Sequence, residues 1–280
     1  MPEIEPAWQA LLELSRNRRA GGGADPCEMV AGPVRLRVAG SSWTAEPAPA
    51  SALGEFLALY MPYALAPAEH GFAVAHLGQS LDGRIATASG ASRWVTGEED
   101  LRHNHRMRAL ADAVLVGAAT VRCDDPRLTV RDCAGHCPVR VVLDPERRLD
   151  DRHRVFCDGA APTLLIIAAD RGRNGERFGE AEILALPREH DGIAPMTIRR
   201  ALAARGLRRL FVEGGGVTVS RFVAARALDR LQIVISPLII GSGRPGISLP
   251  EIVDLRGALR PRIRRFALGD DALFECVFDG

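Results

Sequence analysis

Two arginines, a glutamate and a run of glycines carry the chemistry legible in this sequence. Arg108 falls on a predicted helix and Arg131 closes the segment Asp-Asp-Pro-Arg-Leu-Thr-Val-Arg, 124–131. Both are permanent cations whose planar forks suit a phosphate, although an exposed arginine is more often only a solvated charge. Glu213 opens Glu213-Gly-Gly-Gly216, which follows an apolar run and precedes a predicted helix. Bare backbone amides at such a helix start make a site for a diphosphate, and Thr218 and Ser220 can add hydroxyl donors; the alternative is a tight helix entry without a ligand. Thr120 and Asp124 gather just past a second apolar run. His76 lies in an apolar run, where the bland reading is a packed, satisfied strand histidine. His103 and His105 lie two apart on the helix of Arg108, so they face different ways and make a poor metal pair. His105 shares the face of Arg108, where a solvated or capping role competes with help in holding a phosphate.

Other chemistries are excluded or disfavoured. All 36 basic residues are arginine, which rules out a lysine Schiff base, a lysine-bearing phosphate loop and a lysine proton donor. Six cysteines, at 27, 123, 133, 137, 157 and 276, are scattered rather than framed for disulfides. Cys133, His136 and Cys137 lack a second ligand pair, so no metal site is expected. A net charge of +1 gives no global reason to expect nucleic acid or a membrane surface as partner. The apolar runs are too short to span a bilayer and the acidic N-terminus is unlike a signal peptide, so a cytoplasmic protein is expected.

These residues need strand ends to hold them. Phe72–Leu77, Ala113–Gly117, Val139–Leu143, Thr163–Ala168, Arg209–Val212 and Leu231–Ile240 read as strands. Gly97–Ala111 with Thr96 as N-cap, Met196–Arg205 and Val217–Ala227 read as helices, and Arg262–Phe266 with Ala272–Val277 as a final antiparallel pair. The alternation predicts an α/β fold with a mainly parallel central sheet flanked by helices, in which ligands bind outside the carboxyl ends of the strands. Asp82-Gly83 reads as a turn. Residues 1–70 differ in texture. A short helix around Trp8–Ser15 is stopped by Gly21–Gly23, Val34–Val38 is a short strand, 45–51 is a proline-alanine linker, and a second helix from Leu53 to Tyr60 ends near Pro62. This part is expected to be an N-terminal extension of unknown role, followed by a main domain over 71–280.

The motifs Ser80-Leu-Asp-Gly-Arg-Ile-Ala86, Ser92-Arg-Trp94, Arg108 with Asp112-Ala-Val-Leu-Val-Gly-Ala-Ala-Thr-Val121, Asp124–Arg131 and Val212–Gly216 resemble the C-terminal reductase domain of bifunctional riboflavin-biosynthesis proteins. These are pyrimidine reductases of the dihydrofolate-reductase-like fold, and the likeness covers about 200 residues from Phe72 onward. The zinc deaminase that usually precedes this domain is not implied, because no His-x-Glu followed by Pro-Cys-x-x-Cys occurs.

The resemblance implies a function and a division of residues. Ser92, Arg108, Leu128, Arg131 and Glu213 match substrate contacts, while Gln79, Trp94, Thr120, Asp124, Pro145 and the segment Gly215, Gly216, Val217, Thr218, Val219, Ser220, Arg221 match NADPH contacts. It implies hydride transfer from NADPH to the ribosyl C1 of a phosphorylated ribosylaminopyrimidine, in a homodimer. Leu231–Ile240, with few charges, points to a nearby subunit interface. Arg147 and Arg148 are candidates for the cofactor's 2′-phosphate. The family commonly has lysine at the position of His76 and alanine at that of Gln79, so His76 is the candidate catalytic proton donor. A pterin or other heterocycle reductase of the same fold, and a non-catalytic NADPH-binding homologue, remain alternatives.

Overall fold

The computed structural model describes residues 3–21, 26–49, 51–66, 71–190 and 192–278. Two compact units divide at residues 72 and 73. The first holds α1 (Ile4–Arg19), the antiparallel meander β1 (Cys27–Ala31), β2 (Val34–Ala39) and β3 (Ser42–Glu46), and α2 (Ser51–Ala64). Strand β2 alternates in the expected way, with Val34, Leu36 and Val38 buried and Arg35 and Arg37 exposed. Trp8 of α1 meets Tyr60 and Phe56 of α2 edge-on at ring distances of 5.7 and 6.5 Å. Pro62 does not end the second helix as predicted. It lies inside α2, and burial of Tyr63, Ala64, Leu65 and Ala66 beyond it outweighs the lost backbone bond. The predicted glycine stop at 21–23 and the predicted boundary at 70 fall largely outside the described residues.

The second unit runs β4 (Phe72–Ser80), β5 (Arg84–Thr87), α3 (Glu98–Leu110), β6 (Ala113–Gly117), α4 (Ala118–Asp124), β7 (Val139–Leu143), α5 (Arg154–Cys157), β8 (Thr163–Ala168), β9 (Arg177–Phe178), β10 (Ala181–Leu186), α6 (Pro195–Ala204), β11 (Arg209–Val212), α7 (Gly216–Ala224), β12 (Arg230–Ser236), β13 (Gly243–Pro245), β14 (Arg262–Leu268) and β15 (Asp271–Val277). Ten of these strands form one sheet in the order β14-β15-β12-β4-β11-β6-β7-β8-β10-β9. The pairs β12–β4, β11–β6, β6–β7, β7–β8 and β8–β10 are parallel, and the outer pairs β14–β15, β15–β12 and β10–β9 are antiparallel. The expected α/β fold with a mainly parallel sheet is therefore present.

Strands β6, β8 and β11 are buried at every position, as strands covered on both faces must be. One face packs Ala75, Leu77, Leu115, Val141 and Ile166 against Ile198 and Leu202 of α6 and Val219 and Phe222 of α7. The other face lies under α3, where His103 Nε2 meets Gln232 Oε1 of β12 at 2.8 Å. Helix α3 starts at Gly97 rather than the expected Thr96 cap; the Gly97 N–H donates to Asp271 at 2.7 Å. The predicted strand from Leu231 to Ile240 ends at Ser236, because Pro237 has no N–H to continue a ladder. Its low charge has a cause other than an interface: β12 is an interior strand between β15 and β4.

Candidate active site

Adjacent strands β6 and β11 end together; β6 turns straight into α4, and β11 reaches α7 through the three residues 213–215. Gly117 donates its N–H to the Gly214 carbonyl at 3.1 Å, and a side chain on Gly117 would collide with the Thr218 hydroxyl. Thr120 of α4 places its hydroxyl 3.1 Å from where a Gly215 Cβ would stand. Gly216 is pressed on the Gly246 carbonyl oxygen, and Gly246 in turn meets the side chains of Gln79 and Leu77. This contact joins the carboxyl end of β4 to that of β11. A side chain on Gly214, at φ +105°, would meet open space, and α7 has no side-chain cap. The first-turn amides of α7, beside open space at Gly214, fit the phosphates of a dinucleotide.

Within the segment 215–221 the side chains look elsewhere. Val219 is fully buried and Thr218 packs on Gly117. Ser220 Oγ accepts the Ser248 N–H at 2.9 Å, and Arg221 reaches the Ile193 carbonyl at 3.3 Å. Ser220 thus ties α7 to the loop after β13 as an acceptor, and its hydroxyl proton is left to donate. Val217 alone in this segment is strongly exposed, at 77%.

The charged half lies under α3. Arg108 makes a two-pronged pair with Glu213, Nε to Oε2 at 2.7 Å and Nη2 to Oε1, and its Nη1 donates to the Thr129 carbonyl at 2.9 Å. Both residues were expected at the substrate, and the structure joins them to each other first. Burial opposes the Arg108 charge, but Glu213 overrides it and raises the pKa further. Arg131 stands nearby, exposed, with Nη1 on Thr129 Oγ1 at 3.0 Å. Leu128, buried and at φ +56°, lies at the start of the same segment.

His76 is 4% exposed, beneath α3, with Nε2 3.2 Å from Asp100 Oδ1. The alignment makes an ion-pair contact without a hydrogen bond, so neither ring nitrogen has a hydrogen-bond partner. Burial works against the imidazolium, yet Asp100 and, further off, Glu213 raise its pKa above the ordinary value. Burial and then the His76 charge push His103 down to about 4. His105, expected to be solvated or capping, is buried instead.

The remaining sequence-predicted residues divide less cleanly. Ser92, from the substrate set, donates to Asp124, from the cofactor set, at 2.8 Å. Trp94 is 65% exposed with φ +68°. Pro145 follows β7 in a turn held by Asp144, which accepts the N–H groups of Arg148 and Leu149 at 2.6 and 2.8 Å. Arg147 is engaged by Glu176 at 3.3 Å and by the Arg171 carbonyl at 3.1 Å. Asp82 keeps its turn role and does more. It accepts from Ser80 and from the Ile240 and Gly241 amides, which with the Ser80 bond foremost hold it at about 2. Sequence reasoning missed Asp100, Thr129 and the structural use of His105. Only His105 left a signal, its spacing of three from Arg108. Cys137, in the Cys133–His136–Cys137 loop, accepts the Val130 N–H at 3.3 Å.

A mainly parallel sheet, with a glycine-lined helix start and the Arg108–Glu213 pair at its strand ends, defines an α/β domain. Solved structures share its fold. A deaminase/5-amino-6-(5-phosphoribosylamino)uracil reductase of Thermotoga maritima matches with TM-score 0.64 and 28% identity, over 80% of this chain and 62% of that one. The riboflavin biosynthesis reductase Rib7 of Saccharomyces cerevisiae matches with TM-score 0.59 over 74% and 89%, at 19% identity. The chain belongs to the RibD C-terminal domain family, whose model matches residues 72–264. It is 35% identical over 218 residues to the 2,5-diamino-6-ribosylamino-4(3H)-pyrimidinone 5′-phosphate reductase of Methanothermobacter thermautotrophicus, covering 75% of this chain and 99% of that protein. It is also 35% identical over 180 residues to the riboflavin biosynthesis protein RibD of Bacillus amyloliquefaciens, covering 64% of this chain and 47% of that protein. The chain thus spans nearly all of the archaeal reductase and about half of the bacterial protein. No helix among the described residues is long and apolar enough to cross a membrane.

Proposed function

We propose that the chain is an NADPH-dependent reductase of the riboflavin pathway, acting on a ribosylaminopyrimidine 5′-phosphate as a cytoplasmic homodimer. The reaction opens the ribose, adds hydride at C1 and a proton at the attached nitrogen, and so yields the ribitylamino product. The observation that carries this reading is the meeting of two unlike surfaces at neighbouring strand ends. The start of α7 offers amides with no capping side chain, and the facing wall offers Arg131 beside the Arg108–Glu213 pair.

When bound, the nicotinamide cofactor supplies the hydride. The glycines 214–216 and Gln79 would seat its phosphates and nicotinamide end, with Thr120, Asp124, Pro145 and Trp94 around it. Arg131 would take the substrate phosphate, because its Nε and Nη2 have no protein acceptor among the described residues. Glu213, fixed by the Arg108 fork, would orient the pyrimidine together with Ser92 and Leu128. These residues bring donor and acceptor together rather than react themselves. His76, with its pKa raised beside Asp100, is the proposed source of the proton.

Purified protein should consume NADPH when given the ribosylaminopyrimidine phosphate, and leave dihydropterins untouched. No NADPH consumption with the pyrimidine would overturn the assignment. His76→Ala should lower kcat by about a hundredfold, the usual scale of a general acid. Equal kcat in His76→Ala, His76→Lys and the wild type would remove His76 from the chemistry.

A further inference from the structure

A buried histidine of α3 holds the backbone of the segment that carries Arg131. His105 is buried on α3, one turn before Arg108. Its Nδ1 accepts the backbone N–H of Arg131 at 3.0 Å. An accepting Nδ1 places the ring proton on Nε2, which faces Asp132 Oδ2 at 3.0 Å. Arg108 Nη1 holds the Thr129 carbonyl at 2.9 Å. Helix α3 therefore grips the segment 129–132 at two points, from residues three apart on one face.

The Arg131 guanidinium reaches Thr129 Oγ1 of the same segment at 3.0 Å. Burial and then the Arg108 cation work against its charge, a field that a bound anion relieves. Burial, followed by Arg108, also holds His105 down at about 4, so Asp132 and Glu213 do not succeed in charging it near neutral pH. A charged His105 would carry a proton on Nδ1 and present a donor to a donor.

We propose that His105 is a positioning residue for ligand phosphate: as the neutral Nε2–H tautomer it pins the Arg131 backbone so that the Arg131 side chain is presented to the anion. The inference rests on the reading of Arg131 as the phosphate ligand.

Two variants of similar polarity separate this role from general packing. In His105→Asn the amide oxygen stands near the place of Nδ1 and can still accept the Arg131 N–H. In His105→Gln the amide reaches toward Asp132 and leaves that N–H unmatched. For the phosphorylated pyrimidine, His105→Asn should keep KM within about twofold of the wild type. His105→Gln should raise KM roughly tenfold with kcat within about twofold, the scale of one lost hydrogen bond that orders a ligand group. With the dephosphorylated pyrimidine nucleoside all three proteins should share one KM. Equal KM values for Asn and Gln on the phosphorylated substrate would overturn the proposal, as would a Gln defect that persists on the dephosphorylated one.

If wild-type protein consumes no NADPH with the pyrimidine, the functional reading fails on its own, and inorganic phosphate becomes the probe. Calorimetric titration should then give one Kd for wild type and His105→Asn and a Kd about tenfold weaker for His105→Gln. The same Kd in all three proteins, or no phosphate binding by the wild type, would reject the role of His105.

Discussion

The two halves of the proposed site are built by opposite means. The half at β6 and β11 is made of backbone, with Gly117 against Thr218, Gly215 against the Thr120 hydroxyl and Gly216 against the Gly246 carbonyl. The half under α3 is made of side chains, with Glu213 on Arg108, His76 beside Asp100, and His105 on the Arg131 amide. A backbone site tolerates changes in exposed side chains but not an added Cβ. A side-chain site of buried charges tolerates neither loss nor neutralisation of a partner, because the remaining charge is stranded out of water. Each prediction below would blur that contrast if it failed.

The largest effect is expected at Glu213→Ala. It leaves the buried Arg108 guanidinium of α3 without its paired carboxylate. Loss of one partner from such a pair costs about 3–5 kcal/mol, read from the urea midpoint, and should abolish turnover as well. A variant that unfolds at the wild-type midpoint would show that the pair is solvated after all.

The second effect tests the charge order under α3 through pH. His103 is buried and held at about 4, below its ordinary 6.5. A group with a depressed folded-state pKa binds fewer protons folded than unfolded. His103 therefore favours folding fully above about 6.5 and loses that advantage as pH falls toward about 4. At about 1.4 kcal/mol per pH unit the whole window amounts to a loss of order 3 kcal/mol. His76 has the opposite sign, since its raised pKa favours folding at low pH and loses that as pH rises. The quantity to compare is the slope of stability between pH 4 and 6.5, in wild type and in His103→Asn. The variant should lose close to one proton's worth of slope. An unchanged slope would mean that His103 does not titrate as a buried neutral base.

On the backbone side, Gly216→Ala should weaken NADPH binding by about a hundredfold, because its Cβ meets the Gly246 carbonyl and must displace one of two backbones that shape the proposed site. Fluorescence titration of NADPH measures this directly. Affinity within threefold of wild type would refute the backbone account of that half.

The same contrast explains what the sequence makes legible. Strands β6 and β8 announce themselves because short, continuous apolar runs bounded by polar turns fit a sheet covered on both faces, and β7 does so despite its buried Arg140. The glycine turn is legible for a related reason: its chemistry is local, three residues at a strand-to-helix junction. Strand β10 escapes notice because Ala-Glu-Ile-Leu-Ala-Leu also suits a helix. The partner of Arg108 cannot be read either, since Glu213 lies 105 residues away. Both were assigned to substrate from their positions in the motifs, and their mutual pairing is a property of the folded chain. Asp100 fails for another reason. An acid in the first turn of a helix already has a sufficient explanation in the helix dipole, so nothing in the sequence asks for the histidine that the fold puts beside it.

The smallest effects discriminate best, because they ask whether side chains on the backbone half matter at all. Ser220 is buried and its Oγ accepts the Ser248 N–H. Ser220→Ala strands that amide and should cost about 1 kcal/mol of stability. Val217 is 77% exposed, so Val217→Ala should change stability by less than about 0.5 kcal/mol. Neither substitution alters the amides of the first turn of α7. NADPH affinity should therefore stay within about twofold in both, despite their unequal stabilities. If Ser220→Ala instead cut affinity tenfold, its hydroxyl would serve the ligand as well as the loop. If Val217→Ala did so, the cofactor would be read by a side chain, and the two halves of the proposed site would be less different than the fold makes them.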